Sequence, residues 1–255
     1  MAHSDSALVR AGNWFFKYRN YAFPAFLAAV FIGLDPAPLA GSGRADQWLD
    51  VAGVAVAALG RKSVTAVSMP FRFWVIGLAY IKRGGVNKQV FADRLVVNGM
   101  FGVCRNPLYV GNATVLLGLF LLHNNPWAYA LGAGFFGFAY AGIVAAEESY
   151  LKAKFGAEYA RYVNEVPRFW PDFRRYRQST EGMDFDWRRA LIKDYASVYA
   201  WVVVAAAIHG VQHHGRAAAL FLPAPLWPNV AVIVAATALV LVVRVAKKSG
   251  ILVAR

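Results

Sequence analysis

The sequence predicts an all-α fold, a polytopic membrane helix bundle built around a central helical hairpin. Composition and the placing of charge carry this prediction. Of 255 residues, 58% are hydrophobic and 16% charged, where a soluble domain of this size carries about 25% charged residues. The apolar residues gather in runs long enough to cross a bilayer, and the segments between them are basic. The net charge of +13, from 27 Lys and Arg against 14 Asp and Glu, then reads as the cation bias of cytoplasmic loops, helped by attraction to anionic lipid heads. So apolar a chain does not read as a nucleic-acid binder. One integral membrane domain over 1–255 is the expected organisation.

Residues 1–21 are polar and lack the apolar core and small-residue cleavage site of a signal peptide. Residues 21–40 form a first apolar span, with Pro24 near its start and Asp35-Pro36 interrupting its end. Residues 47–81 are apolar but broken by Arg61-Lys62 and Met69-Pro70. At about 1.5 Å per residue this run is too long for one simple crossing. It is one broken helix or two shorter ones. Residues 82–105 are a basic connector whose Gly84-Gly85 and Asn98-Gly99 signal loops.

Residues 108–123 and 127–146 are two apolar helices joined by the turn His123-Asn124-Asn125-Pro126. They reach roughly 24 and 30 Å, so the hairpin crosses the membrane and returns. A basic polar segment over 149–194 follows, rich in aromatics (Tyr159, Tyr162, Phe169, Trp170, Tyr176) that suit an interfacial cap. A second hairpin over 195–245 has crossings at 195–211 and 226–244, linked by Gln212-His213-His214-Gly215-Arg216. With basic loops inside, 82–105, 149–194 and the C-terminus share the cytoplasmic face.

The hairpin therefore brings Arg105-Asn106-Pro107-Leu108-Tyr109 to the same side as Glu147-Glu148. Taken alone, Pro107 is an ordinary first-turn proline, Arg105 can snorkel, and Tyr109 can anchor at the interface. The glutamates are harder to explain. At the cytoplasmic end of a membrane helix they oppose both the helix dipole and the cation bias. Their counter-charge is either Arg105, paired with one glutamate across the hairpin, or a cationic ligand. Polar groups this close to hydrocarbon cost several kcal/mol unless paired or binding something.

Five marks in order resemble the isoprenylcysteine carboxyl methyltransferase and phospholipid methyltransferase group of membrane enzymes. They are Leu95-Val96-Val97-x-Gly99, Arg105-x-Pro107-x-Tyr109-x-Gly111, Glu147-Glu148-x-x-Leu151, Phe155-Gly156-x-x-Tyr159-x-x-Tyr162 and Val166-Pro167-Arg168-Phe169-x-Pro171. The resemblance covers a core over 72–171. It implies an integral membrane methyltransferase that uses S-adenosylmethionine from the cytoplasmic side and acts on a lipid-like or other apolar acceptor. It also implies a cofactor site made of Arg94, Leu95, Val96, Phe101, Arg105, Asn106, Pro107, Leu108, Tyr109, Glu147 and Glu148, with Gln89 ahead of the loop. A catalytic base is not assigned.

Two positions depart from that family. Asn106 stands where relatives usually carry histidine; an amide cannot act as a base near neutral pH. Methyl transfer from a sulfonium needs proximity and alignment above all. Ile143 stands where isoprenylcysteine enzymes place an arginine for the substrate carboxylate, with Arg72 or Arg168 as candidate replacements. A different acceptor is expected.

Two other readings keep the helical frame. One is an NADPH-dependent sterol-type reductase, with Arg168, Arg174 and Arg175 gripping phosphate. The other is a non-catalytic scaffold with a structural Arg–Glu pair. His213-His214 on a loop is not read as a metal site. Cys104 is the single cysteine, so an intramolecular disulfide and cysteine-held clusters are excluded. It sits beside Arg105, whose charge lowers a thiol pKa, but has no base partner.

Overall fold

A computed structural model describes residues 6–35, 63–79, 85, 87–221 and 227–253. Among these residues the fold is helical throughout and contains no strand. In chain order the helices are α1 (Ala7–Gly33), α2 (Ser63–Leu78), α3 (Pro107–His123), α4 (Pro126–Glu165), the single turn α5 (Tyr176–Ser179), α6 (Trp187–Phe221) and α7 (Trp227–Lys248). Short 3-10 turns occupy Gly99–Gly102 and Phe173–Arg175. Among the described residues, three stretches are long and apolar enough to cross a membrane: Pro126–Glu165, Trp187–Ile208 and Asn229–Lys248. This is an all-α membrane helix bundle.

Several boundaries differ from the sequence expectation. Helix α1 begins at Ala7, well before residue 21. Phe15 and Phe16 in its polar half are buried with Ala139 and Ile143 of α4, and such burial outweighs a polar average. Helix α2 runs unbroken through Pro70, so Met69-Pro70 is not a break. Residues 47–62 and 80–81 of that run lie outside the described residues. Helix α4 does not end at Ala146 but continues to Glu165, interrupted only at Gly156 (φ 48°, ψ −116°). That left-handed backbone suits glycine, which has no Cβ to clash. His213 and His214 lie inside helix α6 and not on a loop.

The chain divides into two compact units. The first comprises Met1–Val30, Leu78–Val110 and Ala130–Asp184. Within it α1 meets α4 at Gly12 and Gly142. The Gly12 Cα lies 3.1 Å from the Cβ position of residue 142, so neither glycine can take a side chain without displacing the other helix. Small residues allow this approach between membrane helices. Around the crossing, Phe26 stacks on Phe135 at 3.9 Å between centroids, and Phe15 and Phe23 meet Phe135 edge-on. Beyond Gly156, Tyr159, Tyr162 and Val166 form a second cluster that takes in Leu95, Leu151 and Phe155.

The second unit comprises Phe31–Gly77, Gly111–Tyr129 and Phe185–Arg255. It holds the turn between α3 and α4. Asn124 adopts φ 52°, and Asn125 Oδ1 accepts from the backbone N–H of Trp127 at 2.9 Å and Ala128 at 3.3 Å. Asn125 thus caps α4 ahead of Pro126. The start of α6 is set by Asp186, whose Oδ1 accepts from the Arg189 N–H at 2.9 Å. Arg72 of α2 is buried against Asp194 of α6, with Nε–Oδ2 at 3.1 Å and Nη2–Oδ1 at 2.5 Å. Its guanidinium also donates to Asn112 Oδ1 and to Ser197 Oγ. Helices α6 and α7 pack together, with Tyr199 and Thr237 hydroxyls 3.1 Å apart.

Candidate active site

Helix α3 opens at Pro107, which is fully buried, and Asn106 immediately before it is 8% exposed. One turn into the helix, the Tyr109 hydroxyl donates to Glu147 Oε1 at 2.7 Å. Tyr109 rests on the Phe15–Phe16–Ile143 cluster, and its ring centroid lies 5.4 Å from that of Tyr140. The other carboxylate oxygen of Glu147, Oε2, has no partner among the described residues. A tyrosine therefore fixes the carboxylate and leaves one oxygen open.

Glu148 is occupied differently. Arg168 grips it bidentately, with Nε–Oε1 at 3.0 Å and Nη2–Oε2 at 2.7 Å. Arg105 adds its Nη1 at 3.5 Å from Oε1. The sequence-based expectation allowed Arg105 to pair with either glutamate. Its partner is Glu148, because helix geometry turns adjacent side chains apart. The Arg105 Nε is buried and carries no hydrogen bond.

Backbone bonds fix this corner. The Arg105 N–H donates to Pro167 O at 2.9 Å and the Asp172 N–H to Val103 O at 3.0 Å. Asn106 Nδ2 donates to Arg168 O at 3.0 Å. Asn106 is thus a tie to the segment after α4. Tyr162 donates its hydroxyl to Phe101 O at 2.7 Å, and Ser179 Oγ to Gly99 O at 2.6 Å. Lys154 Nζ donates to Ala92 O at 2.5 Å, holding the 87–98 loop to α4.

Phe101, Pro107 and Leu108 are buried, and Leu95 packs on Tyr159 and Tyr162. Val96 is half-buried. Gln89 and Arg94 are exposed, and no hydrogen bond or ion pair among the described residues ties either to Glu147.

Cys104 is fully buried. Loss of hydration pushes its thiol up from 9.0 to about 11, against the smaller lowering effects of the Asn106 N–H and the Arg105 charge. It is a packed, buried thiol.

Both arginines suggested as substitutes at position 143 are spent elsewhere, Arg72 on Asp194 and Arg168 on Glu148. Arg174 and Arg175 are likewise engaged, with Asp172 and Glu165. Ile143 itself is fully buried. A basic residue that sequence reasoning passed over stands here: Arg19 of α1. Its guanidinium lies 4.4 Å from the Phe16 ring centroid, and its charge reaches Glu147 and Tyr109. The signal was thin, an arginine three residues after a buried phenylalanine in a stretch of mixed polarity.

Residues 48–158 match the phospholipid methyltransferase family. The match bears out the resemblance that the motifs carry. It starts upstream of Arg72, takes in the Leu95, Arg105 and Glu147 marks, and ends before Val166-Pro167. It covers less than half of the chain. A curated relative, the cobalt-zinc-cadmium resistance protein CzcN of Cupriavidus metallidurans, is 34% identical over 85 residues, which is 33% of this chain and 39% of the relative's length. No solved structure matches.

Proposed function

We propose that this chain is an integral membrane methyltransferase that uses S-adenosylmethionine and acts on an apolar, membrane-partitioned acceptor: a lipid, an isoprenoid, or a small thiol or carboxylate. The observation that carries the reading is Glu147. Its carboxylate is oriented by Tyr109 and retains an unpartnered oxygen, inside a segment matched to methyltransferases.

The donors and acceptors present suit this cofactor. Glu147 Oε2 offers an anion to its ammonium end, and the buried Arg105 Nε is a spare donor. Leu95, Val96, Phe101, Pro107 and Leu108 provide an apolar wall for the adenosine, with Gln89 and Arg94 at its exposed rim. Asn106 holds the Arg168 segment and keeps its Oδ1 for a ligand, and Glu148 holds Arg105 and Arg168 in place. When bound, S-adenosylmethionine supplies a methyl group on a sulfonium, which an aligned nucleophile removes. The chain's part is alignment and exclusion of water, which suffice for such a transfer. With basic loops inside, the site faces the cytoplasm.

Ligand linkage tests this directly, since a ligand that binds only the folded state raises its melting temperature. In detergent, S-adenosylmethionine should raise it and NADPH should not. A shift with NADPH alone would favour the reductase, and a shift with neither would favour a scaffold.

A further inference from the structure

Glu147 satisfies only one half of an amino-acid head group. The methionine end of the proposed cofactor is zwitterionic, and a carboxylate brought beside Glu147 would face repulsion from it. An uncompensated anion beside an apolar hairpin is costly. The site therefore needs a cation within reach of Glu147 that is not already neutralised by the protein.

The arginines on the α3–α4 side do not fill that need. Arg105 and Arg168 share Glu148, Arg174 holds Asp172, and Arg175 reaches Glu165. Arg19 is different. It makes no hydrogen bond or ion pair among the described residues; its guanidinium lies on the Phe16 ring and its charge is felt at Glu147 and Tyr109. Phe16 belongs to the cluster of Ile143, Phe15 and Tyr109, and Tyr109 donates to Glu147. The Gly12–Gly142 contact, with no room for a side chain, holds α1 against α4. An arginine held on an aromatic face with its donors unspent is ready for a carboxylate.

We propose that Arg19 binds the carboxylate of the cofactor's amino-acid end while Glu147 binds its ammonium, so that α1 supplies a binding residue from outside the matched segment. This inference rests on the proposed use of S-adenosylmethionine. It makes α1 a part of the site, and it gives the site a means to discriminate between cofactors that differ only in that carboxylate.

Decarboxylated S-adenosylmethionine, which keeps the ammonium and sulfonium but lacks the carboxylate, separates the two contacts. Equilibrium binding of both compounds to the full-length protein in detergent is compared for the wild type, Arg19→Gln, Arg19→Lys and Glu147→Gln. The wild type should bind S-adenosylmethionine on the order of 10- to 100-fold more tightly than the decarboxylated form. Arg19→Gln should lose that preference and bind the decarboxylated form as the wild type does, which also reports that the variant is folded. Arg19→Lys should keep part of the preference, and Glu147→Gln should weaken both ligands. Should Arg19→Gln keep the preference, or lose both ligands equally while its melting temperature holds, the Arg19 assignment is overturned and the methyltransferase reading stands. Should the wild type bind neither compound, both fall.

Discussion

Adjacent residues on an α-helix point about 100° apart, and that separation divides the labour of the two glutamates. Glu148 is bound by Arg105 and Arg168, while Glu147 is held by Tyr109 and keeps one oxygen open. Substitution should therefore split the phenotypes. Glu147→Gln should lower S-adenosylmethionine affinity on the order of 10- to 100-fold with the melting temperature preserved. Glu148→Gln should cost about 1 kcal/mol of stability, since Arg168 is 43% exposed and water screens much of that pair. The reverse pattern in calorimetry would exchange their roles. Ile143, buried among Phe15, Phe16 and Ala139, cannot receive a substrate carboxylate. A farnesylcysteine analogue should accordingly be methylated poorly or not at all; rapid methylation would mean that another group accepts its acid. Cys104 adds a pH signature. Burial pushes its thiol from the ordinary 9.0 up to about 11. Above pH 9 the unfolded chain then holds fewer protons than the native one, so stability falls as pH rises. Cys104→Ala should flatten the decline in melting temperature between pH 9 and about 11.

At the scale of elements, the central hairpin was the most legible feature. Its two apolar runs, the Asn-Asn-Pro turn and the polar residues at its open ends appear as spaced in the sequence. What stayed hidden depends on packing between distant segments. The first half of α1 averages as polar, yet Phe15, Phe16 and Gly12 bury against α4. Without that contact Arg19 has no reason to be near Glu147, so the sequence offered no cause to select it. Pro70 and the His213-His214 pair carry local breaker and loop signals, yet the helices run through both. The α1–α4 crossing is testable. Gly12→Leu would drive its side chain into the Gly142 backbone and should lower stability by about 1–3 kcal/mol, weakening cofactor binding as α1 shifts. Gly134→Leu is the control, because the space around Gly134 is open.

For the molecule as a whole, the Arg72–Asp194 pair joins α2, inside the matched segment, to α6, which lies beyond it. Both side chains are almost wholly buried, so removing one charge strands the other. Asp194→Asn should destabilise by about 3–5 kcal/mol in detergent, and an unchanged melting temperature would show that α6 is not tied in through this pair. Topology is the other global test. If basic segments are inside, cysteines introduced at Asn87 and Gln178 should react with a membrane-impermeant maleimide from the cytoplasmic face only, and one at Gly215 from the opposite face. Labelling of positions 87 and 178 from different faces would break the hairpin reading. The buried thiol of Cys104 has a practical corollary here. Thiol-reactive maleimides, spin labels and fluorophores are electrophiles that a thiolate attacks, and burial pushes this thiol's pKa up to about 11. Buried and held largely as the neutral thiol, Cys104 should label slowly, so the wild-type chain serves as the background against which a probe pair placed across the α1–α4 crossing is read.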